Sequence, residues 1–243
     1  MKKLRNLLIV AIAIASYSTV SFAGSFGIGA TFSQSEISAS GTENRENLGT
    51  DLNTSSVSND VLIGSLYAEY STDSFSFTSD GNGLVIGFEM TPGSADVSDK
   101  LKTRTDTSTA AAKVEAAGGN LNLGGTYSAN AAVDGYVNTY VEIPVYGMLY
   151  VKAGLSSLDV TTNETTANST SYGNTSLDGD NYGVGLKGKF GGNLIWKAFY
   201  EETDFDQLKL TSSGNSTTGI SAANVITADL DVKEYGLSIG YQF

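Results

Sequence analysis

The sequence predicts an all-β protein, an eight-stranded antiparallel up-and-down transmembrane β-barrel with long extracellular loops. Three observations carry this expectation. Hydropathy alternates with period two along nearly the whole chain, which places successive side chains on opposite faces of strands. The apolar face is rich in aromatics, while the polar face mixes glycine with single charges of both signs. The connections between strands alternate between short and long. Mean hydropathy is −0.07. After the first residues no apolar run approaches the ~18 residues that a membrane helix needs.

The N-terminal residues stand apart. Lys2, Lys3 and Arg5 precede an apolar stretch over 7–15, and Ser21-Phe22-Ala23 sets small residues on either side of a bulky one. This is the pattern of a secretory signal peptide over 1–23. The barrel domain is then expected over 24–243. No Cys follows the cleavage point, so a lipid anchor is not implied.

The expected strands follow in order. In the first, Phe26, Ile28, Ala30 and Phe32 alternate with Gly27, Gly29, Thr31 and Ser33. In the second, Leu62, Gly64, Leu66, Ala68 and Tyr70 share a face opposite Glu69. The third sets Leu84, Ile86, Phe88 and Met90 against Gly87 and Glu89, and the fourth sets Val137, Thr139, Val141 and Ile143 against Asn138, Tyr140 and Glu142. Leu149, Val151, Ala153 and Leu155 oppose Lys152 and Gly154 in the fifth. Tyr182, Val184, Leu186 and Phe190 oppose Gly183, Gly185, Lys187 and Lys189 in the sixth. Leu194, Trp196, Ala198 and Tyr200 oppose Lys197 and Glu201 in the seventh. The last presents Tyr235, Leu237, Ile239, Tyr241 and Phe243 against Glu234, Gly236, Ser238 and Gly240.

The polar face is expected inside. Its charges nearly balance: Glu69, Glu89, Glu142, Glu201 and Glu234 stand against Lys152, Lys187, Lys189 and Lys197, although the whole chain has a net charge of −12. A solvated face has no reason to balance, whereas an unpaired charge in a closed interior costs several kcal/mol. Glycines on that face make room for long side chains. The aromatic-rich face then points outward, which suits lipid. Segments 83–91, 180–190 and 233–243 match the ~9–11 residues of a tilted spanning strand.

Connection 71–82 is moderate, 144–147 and 191–193 are tight, and 38–59, 92–133, 161–179 and 204–232 are long and rich in Ser, Thr, Asn and Gly. Outer-membrane barrels put short turns in the periplasm and long loops outside. Both termini are therefore expected in the periplasm of a Gram-negative cell, with the chain in its outer membrane. Pro92 and Pro144 fall at strand ends, Pro144 in a periplasmic turn. Phe26, Tyr70, Phe190 and Trp196, with Tyr241 and Phe243, gather at the periplasmic ends as an aromatic girdle. Apolar parity switches near Lys233, which predicts a β-bulge there and strands reaching above the membrane as an arm. Asp178-Gly179-Asp180-Asn181 lacks EF-hand spacing and reads as a solvated turn. Only 110–117 has any helical character.

The chain contains neither Cys nor His. Thiolate or imidazole metal sites, disulfides, and Ser–His or Cys–His catalysis are excluded. No enzyme activity, metal or cofactor is expected. The acidic charge also argues against nucleic acid as a partner, since phosphates would be repelled.

The terminal aromatic Phe243, with Tyr241 two residues before it, resembles the recognition signal of outer-membrane barrel proteins. It departs in having Ser238, flanked by Gly236 and Gly240, where a glycine is usual. The stretch 24–243 resembles the small eight-stranded outer-membrane β-barrel family, related to the membrane domain of outer membrane protein A and to OmpX. The resemblance implies that the barrel-assembly machinery reads the C-terminal strand. It also implies outer-membrane lipid and lipopolysaccharide as surroundings, with an extracellular partner left undefined. Two functions are open. One is a structural or surface-interaction barrel whose interior is plugged by Glu and Lys. The other is a narrow porin-like channel for small polar solutes or ions, constricted at Glu142, Lys152, Lys189 and Lys197.

Overall fold

The computed structural model describes residues 24–44, 52–72, 83–106, 125–165, 171–213 and 224–243. The expected signal peptide over 1–23 and the segment 110–117 lie outside the described residues. Eight staves, seven of them long, form one antiparallel sheet: β1 (Gly24–Asn44), β2 (Leu52–Thr72), the six-residue β3 (Val85–Met90), β6 (Gly125–Tyr146), β7 (Leu149–Thr165), β8 (Thr175–Phe190), β9 (Leu194–Phe205) and β11 (Val225–Gln242). β11 pairs back onto β1 from Gly27↔Gln242 to Asn44↔Val225, so the eight staves close into a ring. Three short strands prolong two of the staves. β4 (Ser94–Asp96) and β5 (Lys102–Asp106) pair with β6 beyond β3, and β10 (Leu208–Thr211) pairs with β11 beyond β9.

The strands are longer than expected, and they take up residues assigned above to loops. β1 and β2 pair continuously from Gly24↔Thr72 to Asn44↔Leu52, through Ser38↔Ser58. Their Ser- and Thr-rich outer halves read as loop by composition. Yet period two persists there, with Ile37 and Ala39 on the inner face. Likewise 178–181 is no turn: it lies within β8, where Asp178 and Asp180 point out and Asn181 is buried. Pro144 lies in β6 opposite Tyr150, with a register shift between Pro144 and Tyr146. The turn itself is Gly147-Met148, with Gly147 at φ +55°.

Outside, an apolar belt girds the lower barrel. Phe32 is 74% exposed, Leu62 88%, and Leu237 and Ile239 62% each. At its lower edge Phe26 pairs across strands with Tyr70, stacks on Phe243 at 6.5 Å, and Phe190 stacks on Trp196 at 6.1 Å. Tyr241 meets Phe243 edge-on at 5.1 Å. The six expected girdle aromatics thus fall into two contact groups, Phe26, Tyr70, Tyr241 and Phe243 in one and Phe190 with Trp196 in the other.

Above the belt the two faces exchange character. On β1 the inward residues pass from Thr31, Ser33 and Ser35 to Ile37, while the outward ones pass from Phe32 to Gln34 and Glu36. On β11 the outward set passes from Tyr235 to Lys233, Asp231 and Asp229, and Leu230 is buried inside. The register runs unbroken through Glu36↔Lys233 and Lys233↔Glu202, so the bulge expected at Lys233 is absent. The parity switch has a different cause. The strand keeps its geometry, and its outer face leaves an apolar surrounding for water. In the upper barrel Ile37, Val97, Val133, Leu158, Val160, Leu177, Phe205 and Leu230 form a conventional inner core. The bulge in this region lies on β6 between Asp134 and Val137, where Gly135 takes φ +61°.

Candidate functional site

The lower barrel interior carries the charges. Four staves present Glu69 (β2), Glu142 (β6), Lys187 (β8) and Lys197 (β9) to one cluster. Glu69 takes Lys197 at 2.5 Å and Lys187 at 3.1 Å. Glu142 takes Lys187 at 3.4 Å and also binds Lys197. Two carboxylates thus bridge the same two ammonium groups, and the quartet is neutral.

A second cluster lies one level higher. Lys152 on β7 donates to Glu201 at 2.8 Å and to Glu89 at 3.4 Å, and Ser65 donates to Glu89. Tyr140 separates the clusters: Lys152 Nζ is 4.0 Å and Lys197 Nζ 5.6 Å from its ring centroid. A polar layer then continues upward, with Asn138 donating to Asn181 at 3.1 Å and Asn181 to Thr203 at 3.0 Å. Buried ions are tolerable only with such dense pairing, because desolvation alone costs several kcal/mol per ion.

Glycine makes this filling possible. A Cβ on Gly87 would lie 2.2 Å from Tyr140 Cζ, and one on Gly185 would lie 2.4 Å from Tyr150 Oη. Tyr67 occupies the equivalent space over Gly29 and Gly240. Each of these three tyrosines lies over a wall position where the chain carries no side chain.

Seven of the nine expected interior charges join these clusters. The two others do not. Lys189 is exposed at the lower mouth, where it lines a cavity of about 420 Å³ with Lys187 and Tyr150. It continues the inward column of β8 two residues past Lys187 toward the turn at 191–193, and it has no ion pair among the described residues. Glu234 is half-buried and has no ion pair among the described residues. The expected near-neutral interior therefore becomes five Glu against three Lys among the described residues.

The tyrosine fillers Tyr67 and Tyr150 escaped the sequence reading. Their signal was present, since both have the parity of the charged face.

No protein-family model matches the chain, and no curated protein matches it. Solved structures of similar outline exist. Ail of Yersinia pestis, in complex with the heparin analogue sucrose octasulfate, is 12% identical over 90% of this chain and 99% of its own, with a TM-score of 0.41. The outer membrane protein OprG of Pseudomonas aeruginosa is 12% identical over 91% and 96%, with a TM-score of 0.44. The outer membrane protease OmpT of Escherichia coli is 9% identical over 93% and 99%, with a TM-score of 0.46.

Proposed function

We propose that this chain is an integral outer-membrane barrel of a Gram-negative cell with a closed lumen, a structural or surface-interaction protein rather than an enzyme. Lipid placement rests on the belt, since side chains such as Leu62 and Leu237, 88% and 62% exposed, would form a large apolar patch in water. The orientation follows from the staves. They overrun the belt at the end opposite the termini, so the termini are periplasmic and the polar-faced upper barrel is extracellular. Lipid and lipopolysaccharide would surround it, and external contacts would fall on the upper barrel. The C-terminal strand, ending in Tyr241 and Phe243, would be read by the barrel-assembly machinery.

The observation that carries the closed lumen is the neutral quartet Glu69, Glu142, Lys187 and Lys197, capped by Tyr140. In an eight-stranded barrel the interior is about wide enough for side chains to fill. Planar-bilayer recording tests it. The closed barrel gives no resolved conductance step, and Glu142→Ala with Lys197→Ala opens one. Salt-dependent steps from the unaltered chain would favour the narrow channel instead.

A further inference from the structure

The barrel wall has a window. Among the described residues β2 pairs with β3 only from Leu66↔Met90 to Ser71↔Val85, and above Leu66 only with β1. Across the gap, 91–97 is held by β6 instead, through Thr91 N–H to Tyr136 O at 2.9 Å and Val97 N–H to Ala131 O at 2.8 Å. The Leu66↔Met90 pair is the sill. The lintel is a hydrogen bond from Asn59 Nδ2 to Asp96 O at 2.7 Å. Pro92, which cannot donate to a sheet ladder, and Gly93 at φ +102° lie in the frame.

Behind the window lies a cavity of about 470 Å³ whose walls include Ile37, Val61, Val133, Leu158 and Val232. That volume falls within the range of small-ligand pockets. The sill is level with the apolar belt, for Leu62, Leu66 and Met90 beside it are outward and exposed. Asp60 and Glu36, paired across β2 and β1, mark where the belt ends just above. An apolar chain in the surrounding lipid therefore meets the opening directly.

Three carboxylates line the cavity, Asp96, Asp134 and Glu234, and the last of these points inward with no ion pair among the described residues. Glu234 stands two staves from the window, on the register row Val61–Ser35–Glu234. Its charged neighbours are Glu89, Glu201 and Lys152, and that lysine is already held by both other carboxylates. Three carboxylates share one ammonium, so the upper cluster lacks a cation, whereas the lower quartet is balanced.

We propose that the window admits a cationic amphiphile from the lipid side, with its alkyl chain against Ile37, Val61 and Leu158 and its ammonium or guanidinium head at Glu234. The apolar wall takes the tail. The charge deficit selects the head.

The test uses the full chain in phosphatidylcholine nanodiscs and two probes of equal length, a dansyl-labelled alkylamine and a dansyl-labelled fatty acid. Dansyl fluorescence above that of empty nanodiscs is titrated to saturation. The expected result is saturable binding of the amine at least about tenfold tighter than the acid, a difference of roughly 1.4 kcal/mol. Glu234→Gln should abolish that preference, and Val61→Trp should abolish saturable binding of both probes. Equal affinities for the two heads overturn the proposal, as does a preference that survives Glu234→Gln or saturation that survives Val61→Trp. Should Val61→Trp fail to give a heat-modifiable barrel, the head-group comparison and Glu234→Gln decide alone. A chain that stays in water without detergent refutes the membrane reading separately, and the same titration can then be run in solution.

Discussion

Lys187 and Lys197 stand directly opposite each other on β8 and β9, and the same two carboxylates, Glu69 and Glu142, hold both. Like charges in such a cross-strand pair repel. Either glutamate alone would leave one positive charge uncompensated. Glu142→Gln should therefore destabilise the barrel by about 3–5 kcal/mol, the usual cost of breaking a buried pair from one side. Urea unfolding in lipid vesicles, followed by tryptophan fluorescence of Trp196, measures it. A loss below ~1 kcal/mol would show that water reaches the quartet.

Gly87 is placed to test the fit of glycine to tyrosine. The three atoms nearest its added Cβ all belong to the Tyr140 side chain. Gly87→Ala should cost about 1–3 kcal/mol by overpacking. In a Tyr140→Ala background the same change should cost much less. A double-mutant cycle in vesicle unfolding gives the coupling, and additive effects would disprove the steric pairing.

Above the belt three outward aspartates fall in one cross-strand row, as Asp180↔Asp204 and Asp204↔Asp231. Partial burial, and then the charge of Asp204 with its hydrogen bond, hold the Asp231 carboxyl above its ordinary range. The folded state thus binds more proton than the unfolded chain. Its stability should fall as pH rises from about 4, the ordinary carboxylate value, through the raised folded value. Asp231→Asn should flatten that slope and stabilise the upper barrel at neutral pH by under ~1 kcal/mol, given its solvent screening. Hydrogen exchange of the amides in β9 and β11 against pH reads this out.

Phe243 combines two roles that can be separated. It stacks on Phe26, and its backbone N–H donates to Phe26 O at 2.8 Å. Phe243→Ala retains that backbone bond. Refolding into vesicles should therefore change little, while the yield of outer-membrane barrel in cells should fall several-fold. Equal losses in both assays would make the residue a packing element alone.

Much of this was legible in the sequence because lipid-facing strands are written in single-residue alternation. The pattern placed Glu69, Glu142, Lys152, Lys187 and Lys197 on one face, and their ion pairs follow from closure of the sheet. Parity says which way a side chain points but not how deep it lies, so it does not distinguish Lys189 at the mouth from Lys187 in the lumen. Composition misled at 38–44 and 52–59, because Ser and Thr serve a sheet wet on its outer face as well as they serve a loop. The window was illegible for another reason. It is a pairing that β2 does not make, and a strand's own residues do not reveal which neighbour is missing.

The exchange of faces near Gln34 and Lys233 acts as a waterline. A vertical slip of one outward residue would bring Glu36, Asp60 or Lys233 into hydrocarbon, or lift Phe32 and Leu62 out of it. Either shift costs kilocalories on several staves at once. The barrel thus carries its own draught mark, and it floats at one height whatever the thickness of the leaflet around it, so the lipid must adjust to the protein.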